Sequence, residues 1–86
     1  MGQFVIDDVV LDTAVPTELP LSALFTWVVW QVPRRQAEGQ IGAVRPPTTA
    51  YGWWPAIINN KTEMVIVHAQ VEQPFDSPET AVDYFN

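Results

Sequence analysis

His68 is the only histidine in the chain, and on an extended backbone it shares a face with Gln70 and Glu72. A histidine beside a carboxylate is the smallest arrangement that can move protons for catalysis, provided a pocket holds a substrate or nucleophile next to it. No Ser-centred elbow, Gly-rich phosphate loop or metal-ligand spacing accompanies it. His68 therefore reads as a half-exposed strand residue, and a hydrolytic enzyme built on it ranks last. The adjacent acids Asp7 and Asp8 have no third ligand at a matching spacing, so they do not amount to a metal site. With no cysteine in the sequence, disulfides, thiol catalysis and zinc–thiolate sites are excluded. The sequence thus gives no catalytic, cofactor-binding or metal-ligating residue.

The chemistry it does offer is recognition. Four Trp in 86 residues is a heavy load, and Trp is enriched where protein interfaces concentrate their binding energy. Trp27 and Trp30 lie in one apolar run; Tyr51, Trp53 and Trp54 cluster in another. Arg34 and Arg35 stand close by and could pair with acidic groups on another chain. These seven residues form the expected partner-binding set, with a protein as partner and self-association as a second option. An inhibitor or assembly component, of a virus or of its host, fits this description. So does a domain that holds a proline-rich or methylated ligand on its aromatic cluster.

Gly52-Trp53-Trp54-Pro55, with Ala56 after it, resembles the Pro-Trp-Trp-Pro signature of PWWP chromatin readers. The resemblance implies a β-barrel with an aromatic cage for methylated lysine. It departs from that pattern in the first position, which is Gly here, in the missing Val-Trp-Ala-Lys-like strand just before it, and in lacking a basic DNA-facing surface.

Charge narrows the partners further. Ten acids against four Lys and Arg give a net charge of −6, which repels phosphate backbones and argues against nucleic acid. Asp7, Asp8, Asp12 and Glu18 load the start of the chain, and Glu72, Asp76, Glu79 and Asp83 load its end, so an acidic face suits a basic partner. The start has no basic segment followed by an apolar run, and no apolar run approaches the ~20 residues of a membrane span. A cytoplasmic protein, of a cell or of an infected host, is the expectation. The charged share, 16%, is small beside 48% hydrophobic residues, so apolar surface should remain for a partner to cover.

The elements that must position these residues are mainly strands. One domain over residues 1–86 is expected at this length. Residues 51–73 read as a hairpin around Asn59-Asn60-Lys61-Thr62, with Val65, Val67, Ala69 and Val71 facing the core. Pro55 should put the first arm at a sheet edge or on a bulge. Residues 3–11 read as a strand interrupted by Asp7-Asp8. Residues 12–22, with Pro16 and Pro20, read as a connection holding one short helical turn after Pro20. Residues 24–32 read as a strand stopped by Pro33, with Phe25, Trp27 and Val29 on one face and Val28, Trp30 and Val32 on the other. Residues 33–50, punctuated by Gly and Pro, read as a long contact loop with at most a brief strand at Ile41–Val44. At the end, Asp76 or Ser77 should cap a helix with Pro78 in its first turn, docking Ala81, Val82 and Phe85. The expected fold is α+β, mainly β: about four antiparallel strands in a meander with a C-terminal helix, or else a small open barrel.

Overall fold

The computed structural model describes residues 2–6, 8–37, 39–46, 52–71 and 74–86, apart from the side chains of Phe4 and Val71. It is mainly β, with seven strands among the described residues rather than about four: β1 (Gln3–Ile6), β2 (Val9–Asp12), β3 (Thr17–Pro20), β4 (Val28–Gln36), β5 (Gly39–Arg45), β6 (Trp54–Asn59) and β7 (Met64–Val67). β1 and β2 form a separate hairpin. The other five make an antiparallel sheet in the order β3-β7-β6-β5-β4. Strands β4 to β7 do form an antiparallel meander, but it includes β5, where a loop was expected, and not the strand expected over residues 3–11; β3 joins it at the far edge of β7. Among the described residues the sheet is not closed, so neither the barrel alternative nor the barrel implied by the PWWP resemblance is formed by them.

Side-chain alternation divides the core into two. On one face Val44, Trp54, Ala56, Ile58, Val65 and Val67 pack against Ile6, Val9 and Leu11 of the hairpin and against Leu24 and Trp27. On the other face Ile41, Ala43 and Trp53 pack against Ala81 and Val82 of α1 (Pro78–Val82), with Trp30, Val32, Phe75 and Phe85 around them. The sheet is thus sandwiched between a hairpin and a short helix. No helix among the described residues is long and apolar enough to cross a membrane.

Several expectations change for identifiable reasons. Residues 3–11 are two strands because the chain turns at Asp8, whose φ of 67° is a left-handed conformation that Asp tolerates. Asp7 lies outside the described residues. The Asp12–Ser22 connection contains β3, which pairs with β7 from Thr17↔Val67 to Pro20↔Met64 and ends where proline is tolerated, on an edge. The 3-10 turn after Pro20 is present at Leu21–Leu24. Phe25 and Trp27 precede β4, so they do not alternate with Val29: Phe25 is 88% exposed and Trp27 5%.

Pro33 does not end β4. From Gln31 to Arg35 this strand advances four residues while β5 advances two, from Gly42 to Gln40; the excess is a bulge, and Pro33 sits in it. Within the expected loop over 33–50, residues 33–36 are consequently the end of β4 and residues 39–45 the whole of β5, an interior strand; Glu38 and residues 47–50 lie outside the described residues. Pro55, placed at an edge by the sequence reading, lies in interior strand β6 opposite Ala43. Its carbonyl accepts from His68 N at 2.8 Å. In a strand the N and O of one residue point the same way, so the missing donor also faces His68, just past the end of β7. Only the last rung of a ladder is lost. The second hairpin arm is shorter than expected, with β7 stopping at Val67 and a 3-10 turn following at Ala69–Val71. Of its expected core face, Val65, Val67 and Ala69 are buried, and the Val71 side chain lies outside the described residues.

At the C-terminal helix Ser77, not Asp76, is the cap; its Oγ accepts from Thr80 N at 3.2 Å, and Pro78 follows at the first turn. Ser77→Ala should lower stability by about 1 kcal/mol, read from the denaturation midpoint, because it orphans a helix donor. Gly42 is held to hydrogen by its neighbours: a Cβ there would lie 2.8 Å from both the Trp30 carbonyl oxygen and Ile58 Cδ1. Gly42→Ala should therefore cost about 1–3 kcal/mol in chemical denaturation, the usual range for overpacking.

Candidate partner-binding groove

The expected recognition residues separate by depth. Trp27, Trp53 and Trp54 are 5%, 8% and 0% exposed, so they serve the cores and not a surface. Trp53 and Trp54 are neighbours on one chain segment and therefore project to opposite faces of the sheet, into different cores. This is the reverse of what a shared aromatic cage needs. Tyr51 lies outside the described residues. Arg45 stacks its guanidinium over the Trp53 ring at 5.1 Å, closing that end of the helix-side core. His68 packs edge-on to Phe85 at 5.0 Å between ring centroids and lies 5.6 Å from Tyr84, as part of an aromatic contact between β7's end and the C-terminal segment.

Trp30 is different. It is half-buried and lines a groove of about 310 Å³ between β4 and the C-terminal segment, with Val32 and Val82. Arg34, Glu79, Asp83 and Asn86 form its rim. The bulge in β4 brings Val32 and Arg34 to this place. Arg34 Nη1 donates to Asn86 Oδ1 at 2.5 Å, and Asn86 Nδ2 donates to Asp83 Oδ1 at 3.1 Å. These contacts tie the edge strand to the 3-10 turn at Asp83–Phe85 and hold one wall in position. Glu79 sits in the first turn of α1, where a carboxylate opposes the positive end of the helix.

Of the expected residues, then, the fold brings Trp30 and Arg34 together, whereas Arg35, the next residue along β4, lines a separate cavity near the hairpin turns. The sequence reading missed Val32, Glu79, Val82, Asp83 and Asn86. The helix residues were recognisable as a docking stripe, but nothing local said that the stripe would stop short of Trp30 and leave a groove.

The free edge of β4 carries Pro33, a bulge and two arginines, which are recognised guards against strand-to-strand pairing. The groove therefore offers side-chain contacts rather than a strand to extend. Compared with known protein families, curated proteins and solved structures, the chain matches none.

Because only Trp30 among the four indoles is more than marginally accessible, acrylamide should quench one emission component strongly. Trp30→Phe should abolish that component and leave the protected emission of the other three unchanged.

Proposed function

We propose that this protein is a non-enzymatic protein-interaction module that seats an apolar anchor residue of a partner in the Trp30 groove. The observation that carries this reading is the groove's composition. It combines a partly open indole with Val32 and Val82, and two carboxylates, Glu79 and Asp83, stand on the rim. Trp surrounded by a polar rim is the arrangement in which interface energy concentrates. Arg34, the one rim cation, is already engaged by Asn86. That bond to a neutral amide does not cancel the Arg34 charge, but two carboxylates against one cation leave the rim net negative, as is the net charge of −6. A partner segment with an aromatic or branched aliphatic anchor flanked by Lys or Arg meets both features. Six large apolar side chains are also exposed among the described residues, Phe25 at 88% and Val5 at 64% being the most open. They supply further area for a partner to cover.

In biological terms this is an inhibitor or an assembly component, viral or host, working in the cytoplasm. The lack of cysteine suits a reducing compartment.

Selection from a displayed library of linear peptides tests the proposal. Binders should share an apolar anchor beside basic residues. Trp30→Ala should weaken them by about tenfold or more, the scale of an interface hot spot. The pair Glu79→Gln and Asp83→Asn should weaken them less and reduce the salt dependence. Circular dichroism of each variant separates lost binding from lost fold. Binders indifferent to both Trp30→Ala and the rim variants would rule the groove out.

A further inference from the structure

Where β4 ends lies a second cavity, of about 290 Å³, between the β4–β5 turn and the β6–β7 turn. Its polar lining is Arg35, Gln36, Gln40, Asn59, Asn60 and Lys61. Two of the chain's four cations thus converge on one cleft of a protein that is otherwise acidic. No carboxylate among the described residues lines it. Glu38, their neighbour in sequence, lies outside the described residues. We infer that this cleft binds a phosphate dianion.

The cleft is shaped by the backbone and not only by long side chains. Arg35 pairs with Gln40 and Gln36 with Gly39, so the β4–β5 ladder continues to the mouth of the cleft. Gly39 has a φ of +155°, and a Cβ on it would lie 2.5 Å from the Ile58 carbonyl oxygen. Lacking that atom, one turn can lie directly against the end of β6. On the facing turn Asn59 Oδ1 accepts from Lys61 N at 3.0 Å and from Thr62 N at 3.2 Å, which fixes the backbone that carries Lys61. The turn that carries Lys61 is therefore set before any ligand arrives, and little ordering of it is needed on binding.

The donor set matches phosphate. A guanidinium offers two parallel N–H groups to two oxygens of one anion, and an ammonium adds a mobile point charge. The amides of Gln36, Gln40 and Asn60 can donate to the oxygens that remain. Two cations balance a dianion, where a carboxylate would leave one uncompensated. A polynucleotide would still be repelled by the rest of the surface, whereas one compact phosphoryl group meets only this cleft. The group could arrive as free phosphate or on a phosphorylated peptide, and the two sources separate by experiment.

The test is an amide-resonance NMR titration of the full chain at constant ionic strength, with inorganic phosphate, a phosphoserine peptide, its unphosphorylated form, acetate and chloride. Inorganic phosphate should shift the Gln36, Ala37, Gly39, Asn60 and Lys61 amides saturably in the millimolar range, and leave the Trp30 indole resonance in place. Arg35→Gln with Lys61→Gln should weaken binding by about tenfold, as expected for losing charge-assisted hydrogen bonds. Both side chains are exposed, so the fold should survive, and unchanged core resonances would verify it. Tighter binding of the phosphoserine peptide, with the same sensitivity to the double variant, assigns a protein-borne phosphate; binding no tighter assigns the free ion. Shifts that do not saturate, an equal response to acetate, or affinity unaltered in the double variant would overturn the assignment. The groove and the cleft share no residue, so either can fail without the other.

Discussion

Two of the three interior strands of the sheet, β5 and β6, must be covered on both faces, and the rest of the molecule is arranged to do it. β5 and β6 have Trp54, Val44, Ala56 and Ile58 on one side and Ile41, Ala43 and Trp53 on the other, and all are buried. A chain of 86 residues has little left to make two covering layers. It uses a four-plus-four-residue hairpin for one and a five-residue helix for the other. Neither cover would be stable alone; each is held by the apolar face it conceals.

Small covers leave margins. The helix reaches over β5 and β6 but leaves Trp30 and Val32 of β4 half-covered, and the groove is what remains. On the opposite side the hairpin turns Ile6, Val9 and Leu11 inward, so Val5 and Val10, paired directly across it, must face out. The exposed apolar surface inferred from the low charge content is therefore real. Its location follows from which strand is last in the sheet and which face of the hairpin is free, and neither is a property of composition.

The same distinction decides what could be read from the sequence. Features set by neighbours in the chain were readable: the turn at Asn59–Thr62, the inward set Val65, Val67 and Ala69, the helical turn after Pro20, and a helix opened by Ser77 and Pro78. Features set by partners far along the chain were not. Gly39 and Gly42 look like loop residues until β4 and β6 are placed beside them, leaving no room for a Cβ. Pro33 looks like a stop until a bulge accommodates it. Pro55 looks like an edge residue until its missing donor proves to face the spot where β7 has ended. For the candidate site, Trp30 and Arg34 could be named in advance, but their association with Val82 and Asp83 depends on a tertiary contact across some fifty residues of chain, from position 34 to position 86.

The position of β3 has a kinetic consequence. β4 to β7 are neighbours in the sheet in sequence order, so each pairs with the next across a small separation in the chain, whereas Thr17 meets Val67, and 67 − 17 is 50 residues of loop to close. The meander is expected to assemble first and the N-terminal arm to dock last. Until it does, the outer rim of β7 stands bare, with backbone groups ready for any strand of matching register. At high concentration the nearest such strand is the arm of a second molecule, so crowding during refolding would favour exchanged pairs whose subunits each complete the other's sheet.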